Sequence, residues 1–227
     1  MPTKRTDLLN NQAALPSAVP GRYFLANEHE VGGGALLWLR DQAQMIRDVD
    51  EANELAAAAP AGSGRVIFTP WLNGERTPVD DHTIRGGWNN VALTTTRPDL
   101  VRSVFEGVAF NSRWLLDTVE KFIKRPLDGL NFIGGGARSD LWCQMHADIC
   151  DRVIRRVAEP QHANARGAAF VAWLALGRQS LDELNRAVTI EQEFRPDPDG
   201  RAAYAPLYKE FTKLYKAHKA IHARLNG

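Results

Sequence analysis

An α/β fold with helices flanking a mixed sheet is predicted by three observations. Short stretches rich in β-branched and aromatic residues alternate with longer stretches whose apolar residues recur at helical spacing. Residues 129 to 157 read as strand, glycine turn, helix, strand, the order that calls for a crossover between parallel neighbours. The chain has 227 residues of which 44% are hydrophobic, which is enough to build one sizeable core.

The elements follow in order. Residues 1 to 20 are polar and then punctuated by Pro16 and Pro20, which predicts an extended N-terminal arm; the domain proper is expected over 21–227. "RYFLA" (22–26) is a short strand candidate. "GGGALLWLRDQAQMI" (32–46) runs from glycines into an apolar-periodic helix, and "AAAAPAGSG" (56–64) reads as a loop. "RVIFTPWL" (65–72) is the next strand, followed by a long polar loop over 73–90. The longest helix is expected over 97–123, with Pro98 in its first turn, Asp99 behind it, and an apolar stripe from Leu100 to Val119. "GLNFI" (129–133) is a strand, 139–151 a helix capped by Ser139 or Asp140, and 152–157 another strand. A close-packed helix over 163–176 stops at Gly177. A linker (195–200) precedes a final helix over about 203–225.

Composition excludes several classes. Lys and Arg number 28 against 27 Asp and Glu, so nothing favours a polyanion, and no basic stripe suits nucleic acid. No run approaches the roughly 18 apolar residues of a membrane span, and the first residues lack the apolar core of a signal peptide. Cys143 and Cys150 stand seven apart on one expected helix, roughly 10 Å between Cα atoms, which is too far for a disulfide. Neither has a partner at metal-ligand spacing, so reduced thiols and a cytoplasmic location are expected.

The chemistry centres on "FIGGGARSDLWCQMHADI" (132–149). Glycines between a strand end and a helix start let backbone approach a ligand and aim free N–H groups at it. GGGA has neither the P-loop pattern nor the GxGxxG spacing, and a plain structural turn accounts for it equally well. Asp80 and Asp81 could hold a cation or simply form a solvated turn. Glu75 and Arg76, in "GERTP", could bind substrate or brace a loop.

Four blocks carry a resemblance in the same order. They are "PSAVPGRYFLANEHEVGGGALLWLRD" (16–41), "FTPWLNGERTP" (68–78) with "IRGGW" (84–88), "SVFEGVAFNSRWLLD" (103–117), and the 132–149 stretch with "EPQHANARGAAFVAWLALG" (159–177). Together they resemble the FGGY carbohydrate kinases, the xylulokinase and glycerol kinase family, over about residues 16 to 225. Asp117-Thr118 departs from the strict end of the family's second signature.

The resemblance implies an actin-like (ribonuclease-H-like) ATPase domain, and only the C-terminal one of the two that close over the family's cleft. It implies ATP with Mg²⁺ as cofactor and a sugar or polyol as substrate in the complete enzyme. Gly134, Gly135, Gly136 and Ala137 would approach the adenosine, Asp140 would lie near the ribose or ring, and Gly33 would border the nucleotide from the opposite side. For Asp140 a simple N-cap role stands as the alternative, and for Gly32 to Gly34 a helix-entry turn. No catalytic or metal-ligating residue is assigned. In the family the catalytic aspartate and the phosphate-gripping glycine–threonine turns lie before the segment where this sequence starts, and Asp7 sits in a polar arm unsuited to replace them. A kinase half is therefore expected, lacking the first hairpin of the fold and inactive alone: either a gene remnant, or a subunit completed by a missing N-terminal half or a second copy. Two other readings remain. One is a non-catalytic nucleotide-binding module that completes a partner protein. The other is a dinucleotide-binding domain with Glu159 closing the strand after the turn, against which the glycine spacing speaks.

Overall fold

The computed structural model describes residues 6–8, 10–19 and 21–227. The chain opens with an antiparallel meander of β1 (Thr6–Asp7), β2 (Gln12–Pro16) and β3 (Tyr23–Leu25), with Thr6 opposite Ala13 and Ala14 opposite Leu25. The stretch expected as an arm is thus extended, but it is paired. It also reaches the interior: Gln12 and Ala14 are buried, and Gln12 Nε2 donates to Thr118 Oγ1 at 2.9 Å.

Next come α1 (Gly34–Asp41), α2 (Val49–Ala58), a 3-10 turn at Ser63–Arg65, β4 (Ile67–Thr69), β5 (Gly87–Asn89) and α3 (Arg97–Ile123). α1 ends at Asp41, five residues short of the expected helix, although Ile46 beyond it is still buried. α2 occupies residues that carry no strong apolar stripe. It starts because the Asp48 carboxylate accepts the Glu51 N–H at 2.8 Å, and it runs through Ala58 where a loop was expected. The 73–90 segment is a loop only up to Gly87. β5 then pairs with β4, placing Trp88 opposite Phe68 with their rings 5.3 Å apart. α3 begins and ends as its signals dictate. Thr96 and Asp99 form a reciprocal capping box, Pro98 sits in the first turn, and Lys124 closes the helix in the left-handed region at φ 59°.

The second half holds β6 (Gly129–Phe132), a 3-10 turn at Gly135–Arg138, α4 (Asp140–Cys150), β7 (Val153–Val157), a 3-10 turn at Pro160–His162, α5 (Ala163–Ala175), α6 (Leu181–Arg186), β8 (Ile190–Phe194) and α7 (Pro198–Asn226). β6 and β7 are parallel neighbours joined through α4, with Gly129 opposite Val153, while β8 returns antiparallel to β7. The sheet is therefore mixed, as expected, in the order β6-β7-β8. α7 starts at Pro198, inside the expected linker, because the Asp197 side chain accepts the Gly200 N–H.

α3 is the spine of the core. Its Val101, Val104, Phe105 and Val108 pack with α1, α2, Phe68 and Trp142. Its Ala109 and Phe110 pack with Trp71, Ile149 and the Tyr204–Phe211 stretch of α7. A buried polar link joins the two sides. Arg102 donates to the Ala56 and Ala59 carbonyls, to Glu106 at 2.7 Å and to the Tyr204 hydroxyl at 2.8 Å. Among the described residues no helix is long and apolar enough to cross a membrane.

Candidate functional site

A cleft of about 980 Å³ opens between α1, α2 and the turn that joins β6 to α4. Gly33, Gly135, Gly136 and Asp140 all line it, although a hundred residues of sequence separate the first from the rest. Gly134 adjoins this group without lining the cleft, and the Ala137 side chain is fully buried beneath the turn.

The two glycine turns differ in what makes them glycine. Gly134 lies at φ 83°, ψ −175°, a conformation essentially closed to other residues. Its N–H donates to the Pro160 carbonyl at 2.8 Å and its carbonyl accepts from Ala137 N–H, so it fixes the sharp exit from β6. Gly135 is under no such constraint, because a Cβ there would meet open space. The same holds at Gly33, which precedes α1 and accepts the Leu36 N–H at 3.1 Å. Both leave bare backbone facing the cleft. Gly136 serves packing, since a Cβ would come within 3.0 Å of the Trp142 ring.

Trp142 is the wall behind the turn. Its ring meets Phe105 edge-on at 4.9 Å, and its Nε1–H donates to the Phe105 carbonyl at 3.0 Å. With Leu37, Val49 and Ala57 it gives the cleft an apolar lining, rimmed by Arg40, Asn53, Arg138 and the carboxylates of Asp48, Asp50 and Glu54. Ser139 is the N-cap of α4, accepting the Trp142 N–H at 3.1 Å. Asp140 is released from capping. Its exposed carboxylate instead accepts from Arg156 Nη1, and Arg156 is held in turn by Gln192 Oε1 at 2.6 Å.

Sequence reasoning missed three participants: α2 as the opposite wall, Trp142 as the backing surface, and Arg156 as the holder of Asp140. The Asp48 cap ahead of "VDEANELAAA" was the available signal for α2. For Arg156 there was none, because its role depends on the register between β7 and β8 that places Gln192 opposite it.

Elsewhere the polar candidates are engaged within the fold. Glu75 is buried, accepting N–H groups from Glu30 and Arg76 and the Asn111 side-chain amide. Asp81 accepts from Thr83 N–H and hydroxyl, Ile84 N–H and the Tyr215 hydroxyl.

A mixed sheet flanked by helices, with a cleft at its helix starts, defines an α/β domain, and its likeness to solved carbohydrate kinases makes the fold that of the actin-like ATPase class. The solved, ligand-bound xylulose kinase from Lactobacillus acidophilus superposes with a TM-score of 0.86 at 27% identity, covering 97% of this chain and 45% of that one. The family model for the FGGY family of carbohydrate kinases, C-terminal domain, matches residues 2–176, and the chain belongs to that family. It is 30% identical to the xylulose kinase of Staphylococcus epidermidis over 213 residues, which are 92% of this chain and 42% of that protein. It is 36% identical to the glycerol kinase of Enterococcus casseliflavus over 176 residues, 77% of this chain and 34% of that one. The chain thus spans about two fifths of the length of the curated relatives it matches.

Proposed function

We propose that the cleft receives the adenosine part of ATP, and that the chain is the nucleotide-binding part of a carbohydrate kinase. That kinase moves the γ-phosphoryl group onto a hydroxyl of a sugar or polyol in the cytoplasm. The observation that carries this reading is the convergence of Gly33, Gly135, Gly136 and Asp140 on one cleft with bare backbone on two sides.

The fit is chemical as well as spatial. The cleft is at the upper end of the usual range for small-molecule sites, and its apolar lining suits a flat base. Unsubstituted backbone at Gly33 and Gly135 lets such a ring lie close. The Asp140 carboxylate, aimed by Arg156, is an acceptor for ribose hydroxyls. The carboxylates of Asp48, Asp50 and Glu54 repel phosphate, so the anionic end of the nucleotide extends away from the α2 rim. Mg²⁺ enters through the nucleotide: it prefers phosphate oxygens and water, completed by one or two carboxylates, and would neutralise charge on the transferring group. The sugar contacts and the base that orients the attacking hydroxyl belong in this reading to the polypeptide that completes the cleft.

Calorimetric titration of the purified chain with ATP, ADP and NAD tests it. Adenine nucleotide binding that Gly135→Leu abolishes without lowering the melting temperature is the expected result. Unaltered ATP binding in that variant, or a preference for NAD, removes the site assignment. Turnover of a pentose, ketose or polyol by the chain alone overturns the division of labour.

A further inference from the structure

A second cavity of about 980 Å³ lies between the 3-10 turn at Ser63–Arg65, the β4–β5 pair and α7, and it shares no lining residue with the cleft. Its lining is mostly apolar. Ile67 and Leu207 are buried, and Pro60, Ala203 and Leu214 line it with them. Two polar groups at its wall are spare. Pro206 sits inside α7 and has no N–H, so the Ala202 carbonyl one turn earlier lacks its helical donor, and both residues line the cavity. The Arg65 guanidinium makes no hydrogen bond or ion pair among the described residues, while Glu210 on the same wall is taken by Lys213 at 2.7 Å.

The turn that carries Arg65 is built under strain. Gly62, Ser63, Gly64 and Arg65 all stand in the left-handed region, at φ 86°, 49°, 59° and 70°, although two of the four are not glycine. Such backbone persists only where its surroundings over-determine it, and here they do. The buried Glu106 carboxylate accepts both the Gly62 N–H and the Ser63 hydroxyl, and the Asn90 side-chain amide donates to the Arg65 carbonyl at 3.1 Å. A relaxed connection between α2 and β4 needs none of this. The arrangement fixes a cation at the mouth of an apolar cavity before anything binds there.

We propose that this cavity is a second ligand site, and that it takes a small organic anion with an apolar body. The apolar body lies against Ile67, Leu207 and Leu214, and the carboxylate or phosphate meets the Arg65 guanidinium. A hydroxyl or amine on the far side of the ligand donates to the Ala202 carbonyl that Pro206 leaves free. The site stands apart from the nucleotide reading, because neither its residues nor its chemistry depend on the cleft.

The test titrates the purified chain, by naphthalene fluorescence, with 6-hydroxy-2-naphthoate, 6-hydroxy-2-naphthyl phosphate and the neutral 2,6-dihydroxynaphthalene. At least one anion is expected to bind at least tenfold more tightly than the neutral diol, and the better of the two tells a carboxylate from a phosphate ligand. Arg65→Gln is expected to abolish that preference, and Ala202→Trp, which fills the cavity from an exposed helix position, to abolish binding. Circular dichroism and ATP titration stay unchanged in both variants, and saturating ATP does not displace the probe. Pro206→Ala returns an N–H to the Ala202 carbonyl, so it should weaken 6-hydroxy-2-naphthoate and leave 2-naphthoate unaffected. Failure of both anions to bind, equal binding of the diol, or undiminished binding in Ala202→Trp overturns the proposal. So does displacement by ATP, or a self-dimer that protects amides 202–214 from exchange. An ATP titration that fails while the anion binds counts against the nucleotide site alone.

Discussion

The Ser139 hydroxyl donates to Asn53 Oδ1 while accepting the Trp142 N–H, so one side chain both starts α4 and fastens it to α2 across the cleft. The two walls of the candidate site, which α3 joins from behind, are thus also linked directly by a polar contact between residues 86 apart in sequence.

Ser139→Ala removes the cap and the bridge together. The cap alone is worth about 1 kcal/mol. A double-mutant cycle with Asn53→Ala, read by urea midpoints, is expected to show coupling of about 0.5 kcal/mol or more. Strict additivity would mean that the bridge does not hold the walls.

The two adjacent glycines of the turn separate stability from binding. Gly134→Ala forces a side chain into a region that costs about 1–3 kcal/mol, and the melting temperature should fall accordingly. Gly135→Ala meets open space, so its melting temperature should hold while affinity for adenine nucleotide drops. Equal thermal losses in both variants would contradict the difference between them.

Arg102 and Glu106 are both buried, and Glu106 also accepts the Gly62 N–H at 3.0 Å and the Ser63 hydroxyl at 2.8 Å. Removing one partner strands a buried charge, so Glu106→Ala should cost about 3–5 kcal/mol in chemical denaturation. A loss below about 1 kcal/mol would show that water reaches the vacated site.

Burial pushes the His146 imidazole down to about 4, against the opposing pull of the Trp142 carbonyl that accepts its Nδ1–H at 2.8 Å. The unfolded chain takes up this proton near 6.5, the folded chain only near 4, so protons favour unfolding between those values. Stability present above pH 6.5 should decline as pH falls toward 4, by about 3 kcal/mol from this group. In His146→Gln the decline between pH 7 and 4.5 should be shallower, as measured by urea midpoints.

Burial also pushes the thiols up, Cys143 to about 11 and Cys150 to about 12, and both are free. A colorimetric thiol reagent at pH 8 should titrate neither in the native protein and both in guanidinium chloride. Rapid native reaction at either would place that residue at the surface.

Legibility in the sequence followed locality. α3 was legible at both ends because its signals are local: a capping box, a proline in the first turn and an amphipathic stripe. The β6–turn–α4–β7 unit was legible for the same reason, and it carries one wall of the site. β5 and β8 were not, because three residues around Trp88 and the polar "IEQEF" become strands only by pairing with β4 and β7. α2 was hidden by its composition: a charged helix held by Arg102 and Ser139 from other elements shows little periodicity of its own. The glycine turn and the Gly33 side of the cleft were thus readable, and the α2 wall was not.

α3 contributes side chains to the two largest buried clusters, and Arg102 on it reaches α2 and α7 together. A rod shared in this way denies its neighbours independent melting. Slow amide exchange in α2, α3, α4 and the first half of α7 should report one common opening, with the cleft walls surviving or vanishing together. α5, which has no buried residue, should exchange early and on its own.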